Sequence, residues 1–400
     1  MVGCDNLMKR KDGFGLLAVI IIIIITAIVS ITATGVIMLN NSNGEVNLTN
    51  IDLNNDSELK EFIEVYQTLL SRYYDSNIDK KGMLNAAEEG MLNFLNDKYT
   101  TYLNDEEYKS IIDELSGTYK GIGVKLKGRE IIEVTSSSPA EKAGLLSGDI
   151  ITKVNDTDVS SINGTDSEIG VMIRNIIRDD KVKKINLEID RAGLTLSFNI
   201  SKEKLVDPSV DYKVLDDTTV GYIDIDIFSQ NLGNQVSDAL KELENKNITS
   251  LIIDVRDNVG GYLQSAEDVA SMFIEEGKTI YSLETSTSTY SYKDKTKEKR
   301  NYKIVVLINE NSASASEVLA AALKESYGAT LVGMKSYGKG KVQQVVSLQS
   351  GDSVKYTSAK WLTPNGDCVD GIGIYPDHQV ILERGEVYDS QVTKALEILK

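Results

Sequence analysis

Apolar and polar positions follow several different rhythms along this 400-residue chain. The first is an uncharged run from Phe14 to Leu39 that contains six consecutive isoleucines, Ile20 to Ile25. As a helix it would span about 39 Å, more than the roughly 30 Å hydrocarbon core of a bilayer. Lys9, Arg10 and Lys11 precede it, and an Asn-rich stretch beginning at Asn40 follows. The excess of positive charge before the run predicts that residues 1–13 stay cytoplasmic and that the chain beyond residue 40 is exported. The run is too long for a typical signal-peptide core and no clear A-x-A site follows, so an uncleaved anchor over 14–39 is the expectation.

Residues 40–56, rich in Asn, Asp and Ser, read as a linker. Leu59, Phe62, Ile63, Tyr66, Leu69, Leu70 and Tyr73 then recur at helical spacing. Two further helices are expected at about Lys81–Leu95 and Asp105–Leu115, which makes 57–117 a small helical unit. The texture changes at Tyr119. Strand-like stretches follow Gly121-Ile122-Gly123-Val124, run through Glu130–Val134 and follow Gly148. A helix with Ile169, Met172, Ile173, Ile176 and Ile177 on one face comes next, then strands at Lys183–Asp190 and Thr195–Ser201.

From about Leu205 buried strands alternate with helices. Val220–Phe228, Leu251–Val255 and Lys303–Asn309 are apolar runs of strand length, and an alanine-rich helix is expected from Ser314 to Tyr327. This alternation predicts an α/β core. Residues 284–301 read as an exposed connection.

Composition narrows the chemistry. A formal net charge of −17 disfavours nucleic acid, whose phosphates need Lys and Arg partners. Cys4 and Cys368 lie near opposite ends, so neither a disulfide nor a thiolate metal site is expected. His378 is the only histidine. It sits in a turn-like Tyr375-Pro376-Asp377-His378 context that reads as surface, so histidine-based catalysis has one poor candidate.

Serines cluster in Asn309-Glu310-Asn311-Ser312-Ala313-Ser314-Ala315-Ser316-Glu317, between a strand and a helix. Free N–H groups and the positive end of the dipole at such a helix start favour developing negative charge. Ser314-x-x-Glu317 is equally a capping box, so the pattern alone does not separate a nucleophile from an N-cap. Further on, Gly338 and Gly340 flank Lys339, and a strand is expected over Lys341–Leu348. Four positions separate Lys339 from Gln343, so an extended chain points both to one face, with Lys341 opposite or in solvent. Gly333-x-x-x-x-Gly338-Lys339 begins like a phosphate loop but has Gly340 where Ser or Thr should bind magnesium.

Two resemblances organise these observations. The Gly121-Ile122-Gly123-Val124 loop, the Ser138-Pro139-Ala140 to Ala143-Gly144-Leu145 turn and the Gly148–Asn155 strand stand in the order of a PDZ domain, placed at 118–203. In such domains a peptide adds as a strand and the loop's N–H groups capture its terminal carboxylate. Gly121 and Gly123 are expected to let the backbone approach the ligand. The Ser312–Glu317 segment, followed by Tyr337-Gly338-Lys339-Gly340 and Gln343, resembles the carboxyl-terminal processing, or tail-specific, serine peptidases. Lys339 and Gln343 lie 25 and 29 positions after Ser314, as in that family.

The resemblance implies that Ser314 is the nucleophile, Lys339 the general base and Gln343 the group that orients it. It implies a crotonase-like α/β core at 204–400 and an oxyanion hole from the N–H groups of Ala315 and Gly260. Gly260 follows Val259, where the family usually has proline. A lysine acts as a base only when its pKa falls from about 10.4, which burial without a carboxylate partner would achieve. No cofactor is implied. The expected partners are protein substrates with free C-termini and the membrane through one helix, with self-association into a homo-oligomer left open. Two rivals share parts of the pattern: a non-catalytic PDZ scaffold or chaperone of the cell envelope, and crotonase-like acyl-CoA chemistry.

Overall fold

The apolar runs become strands because both of their faces are covered. Residues 56–179, 181–382 and 388–400 are described here in a computed structural model. The run at 14–39 lies outside them, and among the described residues no helix is long and apolar enough to cross a membrane. The chain divides into two compact units, one formed by the residues up to Leu115 together with Ser209–Lys400, the other by Ser116–Pro208.

The first unit opens with helices α1 (Ser57–Arg72) and α2 (Lys80–Phe94), strand β1 (Thr101–Leu103) and helix α3 (Asp105–Ser116). Asp56 caps α1 by accepting the N–H groups of Glu58 and Leu59. The apolar face that predicts α1 is nevertheless open, with Phe62, Ile63 and Leu69 exposed, and neither α1 nor α2 has a buried residue. Helix α3 is anchored through Ile111 and Leu115, which pack with Leu103, Tyr108, Ile227 and Tyr262.

The second unit follows as β2 (Thr118–Gly121), β3 (Val124–Lys127), β4 (Glu130–Val134), α4 (Pro139–Ala143), β5 (Ile150–Val154) and β6 (Thr157–Asp158). It continues with α5 (Asp166–Arg178), β7 (Lys184–Arg191), β8 (Leu194–Ser201) and β9 (Glu203–Val206). Its main sheet runs β3-β4-β5-β7-β8, which leaves β3 at an edge. Ile169, Ile173 and Ile177 of α5 close over Ile131, Ile151, Ile185 and Ile189. A full capping box at Thr165 and Glu168 starts α5.

The first unit resumes with β10 (Val210–Val214), β11 (Val220–Ile225), α6 (Leu232–Asn245), β12 (Ser250–Asp254) and α7 (Leu263–Ala270). Then come β13 (Thr279–Glu284), β14 (Thr289–Lys293), β15 (Lys303–Ile308), α8 (Ala315–Ala322) and β16 (Thr330–Gly333). Strands β17 (Lys341–Ser347), β18 (Ser353–Leu362) and β19 (His378–Gln379) and helix α9 (Ser390–Leu399) complete it.

A six-stranded sheet runs β10-β11-β12-β15-β16-β19, parallel except at β10. Leu251, Ile253, Val306 and Ile308 face α6, α7 and α8, while Ile252, Val305 and Leu307 face Val392 and Ala395 of α9. Cover on both faces explains the unbroken apolar runs. The expected α-helix to Tyr327 is regular only to Ala322 and then widens into a π-turn over Leu323–Tyr327.

A second sheet contains β1, β13, β14, β17 and β18. It corrects the reading of 284–301 as a connection, because β14 pairs with β13 from Thr289 to Lys293. Its pattern misled because every residue of β14 except Tyr292 is exposed, so no alternation marks it. Central β18 takes β17 on one edge and, on the other, β1 and β13.

Candidate active site

Strand β15 and helix α8 are joined by a tight turn, and the turn is the origin of the site. Ser314 stands immediately before α8 with φ 57 and ψ −117, a conformation that costs a non-glycine residue about 1–3 kcal/mol. An N-cap normally takes the β region, so Ser314 is not serving as an ordinary cap. Its N–H donates to Glu317 Oε2 at 2.9 Å, the reverse half of a capping box. Its own Oγ is buried and has no hydrogen-bond partner.

The neighbouring serines differ. Ser312 Oγ donates to Val255 O at 2.7 Å and accepts the Asn309 N–H. Ser316 Oγ donates to Asn258 O at 2.8 Å. Both pin the turn to the loop after β12. Hydrogen bonding thus separates three serines that the sequence pattern leaves equivalent.

The loop after β12 presses on the same turn. Gly260 has φ +108, and a Cβ there would lie 2.9 Å from Ser314 Cβ and 3.1 Å from Ala315 N. Only glycine fits. Val259 precedes it without preventing this approach. The Gly260 N–H, expected to face an oxyanion, donates instead to Asn258 Oδ1 at 2.8 Å. Asn258 is buried, with its Nδ2 on Ile225 O and its carbonyl accepting Ala313 N–H and Ser316 Oγ. Sequence reasoning gave Asn258 no role.

Lys339 lies in the loop before β17 rather than on an extended strand, so the four-residue spacing argument does not apply to it directly. The loop delivers it inward all the same. Lys339 and Gln343 are both buried. The Lys339 N–H donates to Glu317 Oε2 at 2.8 Å, and its carbonyl accepts Trp361 Nε1 at 2.8 Å. Gly338 N–H and Ser336 Oγ donate to Glu317 Oε1 at 2.7 and 2.5 Å. Gly340 lets the lysine turn touch segment 369–373, since a Cβ there would lie 2.6 Å from Asp370 N.

Burial draws the Lys339 pKa down to about 7. The Lys355 cation pushes the same way, Glu317 opposes, and Lys98 adds to the depression. The expectation of a lysine with no carboxylate near it is therefore corrected. A buried carboxylate is present, and a second buried lysine on β18 counters it. Lys355 itself is held at about 8 by burial, against the raising effect of Asp97. Burial also raises the Glu317 pKa, opposed by its four donors.

Gln343 Oε1 is buried without a partner, and Nε2 donates to Thr357 Oγ1 at 3.5 Å. Lys341, expected opposite or in solvent, is instead half-buried with its Nζ 3.1 Å from Asp97 Oδ1. His378 is exposed on β19.

In the other unit, the Gly121–Val124 loop joins β2 to edge strand β3. Its glycines have internal causes. At Gly123, with φ +86, a Cβ would fall 2.3 Å from Ser138 Cβ, and at Gly121 it would meet the Tyr119 ring at 2.3 Å. Close packing within the unit accounts for both, without a ligand. Ile122 is buried, and its carbonyl accepts the Ala140 N–H at 2.8 Å. Val124 pairs with Val134.

Comparison with known proteins agrees with this division. Residues 219–380 match Peptidase family S41, residues 119–201 the PDZ domain, and residues 28–107 the activating protease CtpB N-terminal domain. Carboxy-terminal processing protease CtpA of Bacillus subtilis (strain 168) is 33% identical over 92% of this chain and 77% of its own length. Carboxy-terminal processing protease CtpB of the same organism is 36% identical over 81% of this chain and 68% of its own. A probable CtpA-like serine protease of Staphylococcus aureus (strain COL) is 35% identical, with 89% and 70% covered. Identity of this order over most of both partners, across peptidase and PDZ regions alike, places the chain in the S41 family of carboxy-terminal processing serine proteases.

Proposed function

We propose that the chain is a membrane-anchored endopeptidase that cleaves exported proteins near their C-termini with a Ser314–Lys339 dyad. One observation carries the reading. Among the described residues, the buried side-chain atoms that lack a hydrogen-bond partner are Ser314 Oγ and Gln343 Oε1. A buried orphan costs about 1–3 kcal/mol and is seldom retained without a use. Here the two orphans belong to the residues proposed on either side of a buried lysine whose pKa is drawn to about 7.

The chemistry follows. Neutral Lys339 Nζ accepts the Ser314 proton as Oγ attacks the scissile carbonyl, and the carbonyl oxygen becomes an oxyanion. In this reading the Ala315 N–H, at the first position of α8, receives that charge. Gly260 N–H joins it on exchanging Asn258 Oδ1 for the oxyanion. Protonated Lys339 returns the proton to the leaving amine. Water, deprotonated by the same lysine, then hydrolyses the acyl-enzyme. Gln343 Oε1 accepts an amine N–H and aims the nitrogen lone pair at Ser314. The neutral amide does this without favouring the ammonium as a carboxylate would.

The reading also includes a crotonase-like core, supported by the parallel order β11-β12-β15-β16 with helical crossovers. Capture of the substrate tail belongs to the PDZ unit, where a peptide would extend edge strand β3 and place its carboxylate at Gly121–Val124. Anchoring through 14–39 and an extracytoplasmic site rest on the apolar run and the charges before it.

The test is cleavage of an unstructured protein by the full chain and by its Ser314→Ala and Lys339→Met variants. Each variant is expected to lose at least about a thousandfold in rate while keeping its circular dichroism spectrum. Wild-type turnover by either folded variant would refute the dyad.

A further inference from the structure

Between Gln343 of β17 and Thr357 of β18 the donors and acceptors admit one arrangement. Asp97 lies just before β1, the short strand that joins β18 at Thr101↔Lys355. Its carboxylate is fully occupied. Oδ2 accepts Thr357 Oγ1 at 2.5 Å and Thr100 Oγ1 at 2.7 Å, while Oδ1 accepts Lys341 Nζ at 3.1 Å and Tyr99 N–H at 3.3 Å. Thr357 stands directly across from Gln343 in the β17–β18 pairing, at the irregularity between Val342 and Gln343.

We propose that Asp97 and Thr357 are positioning residues that decide which end of the Gln343 amide faces Lys339. The inference rests on the reading of Gln343 given above. A threonine hydroxyl has one proton to donate. Asp97, acceptor-only when ionised, takes that proton and leaves Thr357 Oγ1 able only to accept. The side of Gln343 facing Thr357 must therefore be the NH₂ end, and Nε2 does lie there at 3.5 Å. The carbonyl end is turned away from Thr357, which leaves Oε1 as the buried acceptor without a partner. A neutral lysine needs an acceptor for one of its N–H groups if its lone pair is to reach a serine proton. Were the amide reversed, its NH₂ would compete for that lone pair and the base would be blocked.

The hydrogen bonds to Thr357, Thr100 and Lys341 hold Asp97 ionised, with its pKa down at about 2 despite burial. The relay therefore keeps one polarity throughout the working pH range.

The assignment is tested with kcat and KM for the full chain on an unstructured protein substrate. The variants are Thr357→Val, Thr357→Ser, Asp97→Asn, Gln343→Ala and the double variant Thr357→Val/Gln343→Ala. Thr357→Val and Asp97→Asn are expected to lower kcat roughly tenfold with little change in KM, and Thr357→Ser to keep it. In the Gln343→Ala background, Thr357→Val should have no further effect. A purely structural threonine would instead multiply the two losses, and that result would overturn the relay. An effect of Gln343→Ala with none from Thr357→Val or Asp97→Asn would overturn the relay alone. Full activity in Gln343→Ala would overturn the role of Gln343 and the relay with it. If Thr357→Val fails to fold, Asp97→Asn, alone and in the Gln343→Ala background, carries the same comparison.

Discussion

The backbone N–H groups of Ser314 and Lys339 donate to one and the same oxygen, Glu317 Oε2, at 2.9 and 2.8 Å. Two loops that are far apart in sequence are thereby set in register by a single carboxylate. Glu317→Gln should break this link, because an amide cannot accept four donors at its two ends. The expected loss is about 2–4 kcal/mol of stability, read as a lower denaturant midpoint, together with most of the activity. An unchanged midpoint would mean that the carboxylate does not hold the turns together.

Lys355 is expected to tune the base. The charged and aromatic groups near Lys339 include Lys355 on β18, Glu317 on α8, and Lys98 and Tyr99 before β1. Lys355 carries a positive charge when Lys339 must lose its own, so it lowers the Lys339 pKa. The wild-type rate should rise with pH through about 7. In Lys355→Met the Lys339 ammonium is less disfavoured, its pKa rises, and the ascending limb moves to higher pH. A limb that stays in place, or moves to lower pH, contradicts the assignment.

Terminal capture by the PDZ unit predicts that a peptide with a free apolar C-terminus binds the full chain at least about tenfold more tightly than its amidated form. The amide removes the carboxylate charge that backbone N–H groups would hold. Isothermal titration on the Ser314→Ala variant, which cannot consume the peptide, makes the comparison. Equal affinities would remove the carboxylate from the account.

Much of the fold was legible because it is written in local periods. The isoleucines of α5 and the apolar runs of β11, β12 and β15 state their partners' faces directly. Strand β14 was not legible, since its exposed Ser, Thr and Tyr residues carry no alternation. At the site, the residue types at 314, 339 and 343 stood out. Their surroundings did not. Asp97 reaches Thr357 across 260 positions, and Trp361 meets Lys339 through a backbone carbonyl. Neither contact has a sequence signature. The capping-box pattern correctly indicated that Glu317 binds the Ser314 N–H, but it could not show the positive φ of Ser314. Nor could it show that the same carboxylate holds the lysine turn.

The most direct measurement is the pH dependence of covalent labelling by a serine-directed fluorophosphonate, followed by peptide mapping. Labelling reports the nucleophile and its base without needing a known substrate. The account predicts one adduct, on Ser314, formed at a rate that rises through about pH 7, and no comparable labelling in Lys339→Met. An adduct on another residue, or wild-type labelling of Ser314 in folded Lys339→Met, would contradict it.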